Sequence, residues 1–369
     1  MAIDRIEISG YRSIRSLRLD LGRVTIIAGA NGAGKTNIYR ALYLTWAAAS
    51  GTLAATLARE GGMPSVMWAG ARTRGPRRMA IEVTGDGVHY LLECGLVPTS
   101  PEDPTAFCLD PDVKKEEVRA IDGRHRVPLL DRAGTSAWLR DADGVRVTFP
   151  LQIDASESIL SQLSEPHRFP VLSILRSRLM AWRFYHHFAT DETAAIRAPQ
   201  VGVRTGALAH DGRDLAAALQ TILEIGDADA LHQCIDQAFP GAQLVIKYDT
   251  QARFEVTMGM PGVERPLQAA ELSDGTLRYL CLVAALLSPR PPAFLVLNEP
   301  ETSLHPDLFA PLAGLLHRAS KTTQLVITTH AETLCAHLSK LARTKPVLLT
   351  KTDGETTLDD GDDQHDDDD

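Results

Sequence analysis

Apolar residues alternate with polar ones at the start of the chain: Ile3, Ile6 and Ile8, then Leu17, Leu19 and Leu21. Period-two patterning predicts a small β-meander, followed by a short buried strand over 24–28. Glycines and a lysine come next, and then Ile38, Leu42 and Trp46 recur on one face of a helix. The order strand, Gly-rich turn, helix is the one that phosphate binding requires. Further strands are expected at 78–83, 89–94 and 144–149, with a loop over 98–111 that holds Pro98, Pro101, Pro104 and Pro111. From 156 to about 190 the pattern turns helical, with Leu160, Leu163, Leu172, Leu175 and Leu179 as its apolar positions. Helices are predicted again at 215–225 and 228–238, then strands at 243–248 and 254–258. The last third alternates: a helix over 276–287, a strand over 293–298, a helix after Pro306, a strand over 324–328 and a helix after His330. That order implies a parallel sheet with helices on its faces. No internal repeat or sustained heptad occurs, so a long coiled-coil arm is excluded.

Composition changes this picture only at the C-terminus. The 369 residues are 44% hydrophobic and carry a net charge of −9. Residues 352–369 hold ten acids and no Lys or Arg; without those ten the 47 acids fall to 37, against 38 Lys and Arg. The body is therefore near neutral, and 352–369 is expected to be an acidic, disordered tail. It would serve either to solubilise the chain or to mimic nucleic acid. Cys94, Cys108, Cys234, Cys281 and Cys335 are odd in number and lack CxxC spacing. They read as free thiols in a reducing compartment. The start has charge where a signal peptide needs an apolar run, and no stretch is long and apolar enough to span a membrane. A cytoplasmic protein with no membrane partner is the expectation.

The chemistry is concentrated in a few segments. Gly29-Ala30-Asn31-Gly32-Ala33-Gly34-Lys35-Thr36 fits GxxxxGK[ST] without a gap. Glycines let backbone N–H groups curl around phosphates, and the following helix points its positive end at them. Lys35 is expected to bridge the β- and γ-phosphates, and the Thr36 hydroxyl to ligate Mg²⁺. The apolar run Phe294-Leu295-Val296-Leu297 ends in Asn298-Glu299-Pro300-Glu301, which places Glu299 as a general base for water. His330 closes the next apolar strand and suits a γ-phosphate sensor. Ser273 and Gly275 stand at the start of a capped helix. Alone that is an ordinary N-terminus; beside a phosphate loop it is a candidate second anion site for another molecule's nucleotide.

Taken in order, these segments resemble the ABC-type ATPases of the SMC and RecF kind, and more narrowly the compact bacterial AAA-labelled ATPases related to them. Residues 29–36 match Walker A, 272–278 (LSDGTLR) resemble the signature loop, 295–301 match Walker B, 303–306 (SLHP) resemble the D-loop, and His330 the switch histidine. Tyr11-Arg12-Ser13-Ile14 resembles the N-terminal aromatic-Arg-Ser motif, whose Arg approaches the nucleotide. The resemblance implies an α/β P-loop NTPase of the ABC/SMC head type, with a mixed sheet flanked by helices, an antiparallel β subdomain and a helical lobe. The head would cover 1–351 as an N-terminal lobe (1–150), a mainly helical lobe (151–275) and a C-terminal lobe (276–351). It implies ATP and Mg²⁺ as cofactors. Nucleotide contacts would come from Arg12, Asn31, Gly32, Ala33, Gly34, Lys35, Thr36 and Asn37, with Thr36 and Asn298 at the metal and Glu299, Lys35 and His330 in catalysis. Ser273 and Gly275 would come from a second copy in a head-to-tail homodimer. Two departures stand out: Asn298 replaces the usual Asp, which lowers the charge offered to a metal, and no glutamine lies where a Q-loop would, so slow hydrolysis is consistent with the sequence.

The load moved by such a head is less defined. Arg72, Arg74, Arg77 and Arg78 form a basic loop, which is either solvated or in contact with nucleic-acid phosphates. Residues 182–187 (WRFYHH) read as helical core, with a base-stacking platform as the alternative. Three functions remain: an ATPase driving a DNA-linked process, repair or anti-phage defence, with a separate effector; a nucleotide switch with little hydrolysis, which Asn298 favours; and a transporter ATPase subunit, which the Tyr11-Arg12-Ser13-Ile14 motif and the large middle insertion disfavour.

Overall fold

The computed structural model describes residues 1–71, 77–99, 105–149 and 152–359. Contacts divide the chain into two compact units, each discontinuous in sequence. The first contains Met1–Gly22, Ile27–Trp182 and Val347–Asp369; the second contains Arg23–Ile26 and Arg183–Pro346. The units are not the three consecutive lobes expected, since each combines segments far apart in sequence.

The first unit carries an eight-stranded antiparallel sheet. Its order is Ile14–Asp20, Arg5–Tyr11, Arg78–Gly85, Val88–Leu96, Pro111–Asp122, His125–Ala133, Ser136–Arg140 and Arg146–Thr148. The expected meander forms through Ile6↔Leu19 and Ile8↔Leu17, pairs that place apolar side chains on one face. Helix Lys35–Ser50 packs its apolar side inward, with Ile38, Leu42, Leu44 and Ala48 fully buried. Strand Val347–Thr352 pairs in parallel with the end of the Val24–Gly29 strand, through Leu348↔Ala28.

The expected tail is corrected here. Glu355–Leu358 is a strand that folds back on Val347–Thr352, through Thr352↔Glu355 and Thr350↔Thr357. Asp353 and Gly354 form the connecting turn with φ of 51° and 85°, the two-residue geometry that Asp-Gly favours. The acidic run from 360 onward lies outside the described residues.

In the second unit Arg183–Tyr185, Phe294–Asn298 and Gln324–Thr329 run parallel, paired through Phe184↔Val296 and Val296↔Val326. Every residue of the latter two strands is buried. A small antiparallel sheet of Gln200–Val201, Arg253–Gly259 and Gln243–Tyr248 is joined at one edge by Leu267–Gln268. Helices Leu215–Ile225, Ala228–Ala238, Asp274–Leu286, Phe309–Ala319 and Glu332–Ala342 complete the unit. Asp274–Leu286 buries Leu277, Tyr279, Leu280, Leu282, Val283 and Leu286, each stabilising the core by about 1.5–3 kcal/mol. The continuous helical pattern expected over 156–190 is corrected. It resolves into helices Ile159–Gln162 and Pro170–Met180 and then strand Arg183–Tyr185. Phe184 and Tyr185 are core residues of that strand.

Candidate nucleotide-binding site

The phosphate loop belongs to the first unit. Lys35 opens helix Lys35–Ser50 and is only 3% exposed. Its Nζ donates to the carbonyls of Gly29 (2.7 Å) and Ala30 (3.0 Å), so the loop curls around the ammonium. Asn31 and Gly32 are exposed at the loop tip, Ala33 is buried, and Thr36 and Asn37 are half-buried. Gly34 caps the helix at φ 107°, and a Cβ there would stand 2.2 Å from Thr356 Oγ1. Only glycine fits both the conformation and the space.

A chain of side chains supports the loop from beneath. Asn37 Nδ2 donates to Ser13 Oγ (2.8 Å), Ser13 Oγ lies 2.7 Å from Thr356 Oγ1, and Thr356 Oγ1 donates to the Ala33 carbonyl (2.9 Å). The returning C-terminal strand is thereby tied to the loop. Asn37 faces this network. Arg12, at φ 51°, donates through Nε (3.0 Å) and Nη2 (2.6 Å) to Glu60 Oε2, which also accepts from Tyr11 OH (2.9 Å). Burial disfavours the Arg12 charge, but Glu60 and Tyr11 together more than offset this and raise its pKa. Burial raises that of Tyr11.

The carboxylates belong to the second unit. Glu299 follows the end of its strand in the left-handed region (φ 48°), as does Ser303 (φ 66°). Such a conformation costs a bulky residue about 1–3 kcal/mol and is held by its surroundings. Here Glu299 N donates to the Thr328 carbonyl at 2.9 Å. Asn298 is 3% exposed and tied on both sides: Oδ1 accepts from Thr328 Oγ1 (2.9 Å), and Nδ2 lies 2.8 Å from His186 Nδ1. His330 Nδ1 lies 3.7 Å from Glu299 Oε1 and 3.3 Å from Glu301 Oε1. Glu299, Asn298 and His330 are thus gathered at one end of the parallel strands.

The 272–278 loop is shaped by a residue that the pattern did not single out. Arg197 donates to the carbonyls of Ala269, Ala270 and Leu272 (3.3, 3.2 and 2.8 Å) and to Asp274 Oδ1 (2.6 Å). Ser273 is exposed and caps the helix by accepting from Thr276 N (3.2 Å). Gly275 passes so close to the 303 turn that a Cβ would stand 2.7 Å from the Ser303 carbonyl. Thr356, Glu60 and Arg197 were not singled out, and His186 and Glu301 were read only as parts of longer segments, because each makes long-range contacts that leave no local spacing. In the basic cluster, Arg78 pairs with Glu93, while Arg72 and Arg74 lie outside the described residues. Among the described residues no group of three or more His, Cys, Asp or Glu could hold a metal.

The profile of the family described as "AAA domain, putative AbiEii toxin, Type IV TA system" matches residues 143–336. The chain belongs to this AAA-domain family. A second profile, "AAA ATPase domain", matches residues 1–49, the segment that contains the phosphate loop. The AAA-domain chain is also similar in fold to solved SMC heads. One is the SMC head bound to the C-winged helix domain of ScpA, with TM-score 0.57, 16% identity, and 97% of each chain covered. Another is a head with an extended coiled coil, bound to the C-terminal domain of ScpA, from Pyrococcus furiosus. It has TM-score 0.53 and 14% identity, covering 96% of this chain and 95% of that one. Among curated proteins nothing matches. The fold is therefore that of an SMC-type ATPase head, in agreement with the resemblance drawn from the motifs. No helix among the described residues is long and apolar enough to cross a membrane.

Proposed function

We propose that the chain binds and hydrolyses ATP, and that two copies close head to tail on the nucleotide to drive a DNA-linked process. The observation that carries this reading is the loop closed over Lys35 at a helix N-terminus. Backbone N–H groups there would take the phosphates, with Lys35 released to the β- and γ-oxygens. The Thr36 hydroxyl fits Mg²⁺, which when bound neutralises charge on the phosphates. A site with few protein carboxylates suits this metal, because it keeps most of its waters. Glu299 would orient and deprotonate the attacking water, with His330 beside it at the γ-phosphate. The exposed Ser273 at the N-terminus of a 13-residue helix supports the homodimer, since that end can receive a second copy's nucleotide. The family description, which names a putative toxin of a toxin–antitoxin system, supports defence over repair. The ScpA domains bound to two similar heads support a separate effector protein.

A second reading, a nucleotide switch with little hydrolysis, is favoured by Asn298, whose neutral side chain bonds to Thr328 and lies against His186. One experiment separates the two. ATP turnover is measured with and without DNA for the wild type and Glu299→Gln, and mass is followed by light scattering. The first reading expects measurable turnover, stimulated by DNA, and an ATP-dependent dimer of the variant. A variant that stays monomeric with ATP sinks the shared site; absent wild-type turnover leaves the switch.

A further inference from the structure

Glu301 stands two residues beyond Glu299 and is only 3% exposed. Its Oε1 accepts from Thr329 Oγ1 (2.6 Å) and from the backbone N of His330 (3.0 Å). The same oxygen lies 3.3 Å from His330 Nδ1. Its Oε2 is buried with no hydrogen-bond partner among the described residues. Such an arrangement is expensive, because a buried carboxylate oxygen left unsatisfied costs more stability than an unsatisfied neutral group. Anchoring Thr329 and the His330 backbone requires only an acceptor, which an amide oxygen supplies. The negative charge therefore has a further task, and the ring facing it is His330.

We infer that Glu301 is a positioning residue for His330, holding the imidazole with its hydrogen on Nδ1 and leaving Nε2 to meet the γ-phosphate end of the nucleotide. A carboxylate oxygen is an acceptor, so a hydrogen on Nδ1 is the tautomer that suits the 3.3 Å approach to Glu301 Oε1. Thr329 adds a second constraint: its hydroxyl is committed to Glu301, and its Oγ1 accepts from Ala331 N at 3.0 Å. One side chain thus anchors the backbone of His330 and lies nearest its ring, with Glu299 Oε1 farther from Nδ1 at 3.7 Å. This inference rests on the hydrolytic reading for its effect on rate, but not for its geometry.

The test uses the full chain as wild type, Glu301→Gln, Glu301→Ala, His330→Ala and the two double variants. Nitrogen-15 NMR of the histidines at pH 8.5, with the His330 signals assigned by their loss in His330→Ala, reads the ring directly. Nδ1 protonated in the wild type and bare in Glu301→Ala is expected; Nδ1 bare in the wild type overturns the inference. In turnover assays His330→Ala should lose about 10²- to 10³-fold in kcat, as removal of a group stabilising developing charge does. Glu301→Gln keeps the anchoring acceptor and should lose roughly tenfold, because a charge-assisted bond is about twice as strong as a neutral one. ATP affinity should stay within about twofold in these variants. In the His330→Ala background, neither Glu301 substitution should cost anything further. Losses that multiply instead overturn the inference, and Glu301→Gln decides this even if Glu301→Ala fails to fold. A wild type that binds ATP without turnover overturns the hydrolytic reading, while the Nδ1 measurement still decides this one.

Discussion

Thr356 ties the C-terminal hairpin to the phosphate loop, and its replacement by Val isolates that tie. Val matches the shape and removes one hydroxyl from a fully buried position. Two groups then lose partners: the Ala33 carbonyl at 2.9 Å loses its donor, and the Ser13 hydroxyl at 2.7 Å loses its acceptor, while Asn37 still donates to Ser13. Leaving a buried polar group unsatisfied costs about 1–3 kcal/mol. The carbonyl sits within the loop, so the penalty falls on the conformation that takes phosphates. At 1.4 kcal/mol per tenfold, ATP affinity should weaken by roughly 5- to 150-fold. Titration with a fluorescent ATP analogue reads the affinity, and urea unfolding reads stability. Thr356→Ser restores the hydroxyl and should bring affinity back to within about threefold of wild type. Truncation provides the complementary arm: removing 360–369 should leave binding unchanged, whereas removing 353–369 should abolish it. Binding by Thr356→Val at wild-type strength and stability would refute the reasoning, as would loss of binding on removal of 360–369 alone.

Lys35→Ala should abolish ATP binding, measured by the same titration, while far-ultraviolet circular dichroism stays unchanged. Gly275→Ala drives a Cβ against the Ser303 carbonyl and should lower stability by about 1–3 kcal/mol, read as an earlier urea midpoint. Chelation of Mg²⁺ by EDTA should stop turnover without shifting the unfolding midpoint, since no metal cluster holds the described fold together. Asn298→Asp adds a charge at the expected metal position and should lower the Mg²⁺ concentration needed for half-maximal turnover; an unchanged requirement counts against Asn298 as a metal ligand.

Local chemistry was legible, and long-range pairing was not. The glycine loop closed on Lys35 is written in eight consecutive residues, and the buried strand ending at Asn298 in one apolar run, so both local structures could be read directly. Strands Pro111–Asp122, His125–Ala133 and Ser136–Arg140 escaped because their burial does not follow hydrophobicity. Glu116 and Arg132 are fully buried, 3.7 Å apart. Glu116 also accepts from Tyr90 OH (3.1 Å) and Ile159 N (2.8 Å), while Arg132 donates to the carbonyls of Gly134 (2.8 Å) and Glu157 (2.7 Å). Burial pushes the Glu116 carboxyl above its usual range despite those donors. A charged residue whose partner lies in another strand reads as exposed in one dimension. The three residues of Arg183–Tyr185 gave too short a run to separate strand from helix. The Asp-Gly turn at 353–354 carried a hairpin signal, but the surrounding acids masked it.

Asn298 and Glu301 together show how charge is distributed at this strand end. Asn298 accepts from Thr328 Oγ1, and its amide nitrogen lies 2.8 Å from Nδ1 of His186, the residue that follows the neighbouring parallel strand, so its side chain is built into a buried network. The buried negative charge stands three residues later, where it faces a histidine. On the proposed roles, a charge at 301 in place of one at 298 would trade attraction for a metal against control of an imidazole. With the roles proposed above, such a head would depend more on Thr36, nucleotide and water to hold Mg²⁺, and more on His330 at the γ-phosphate.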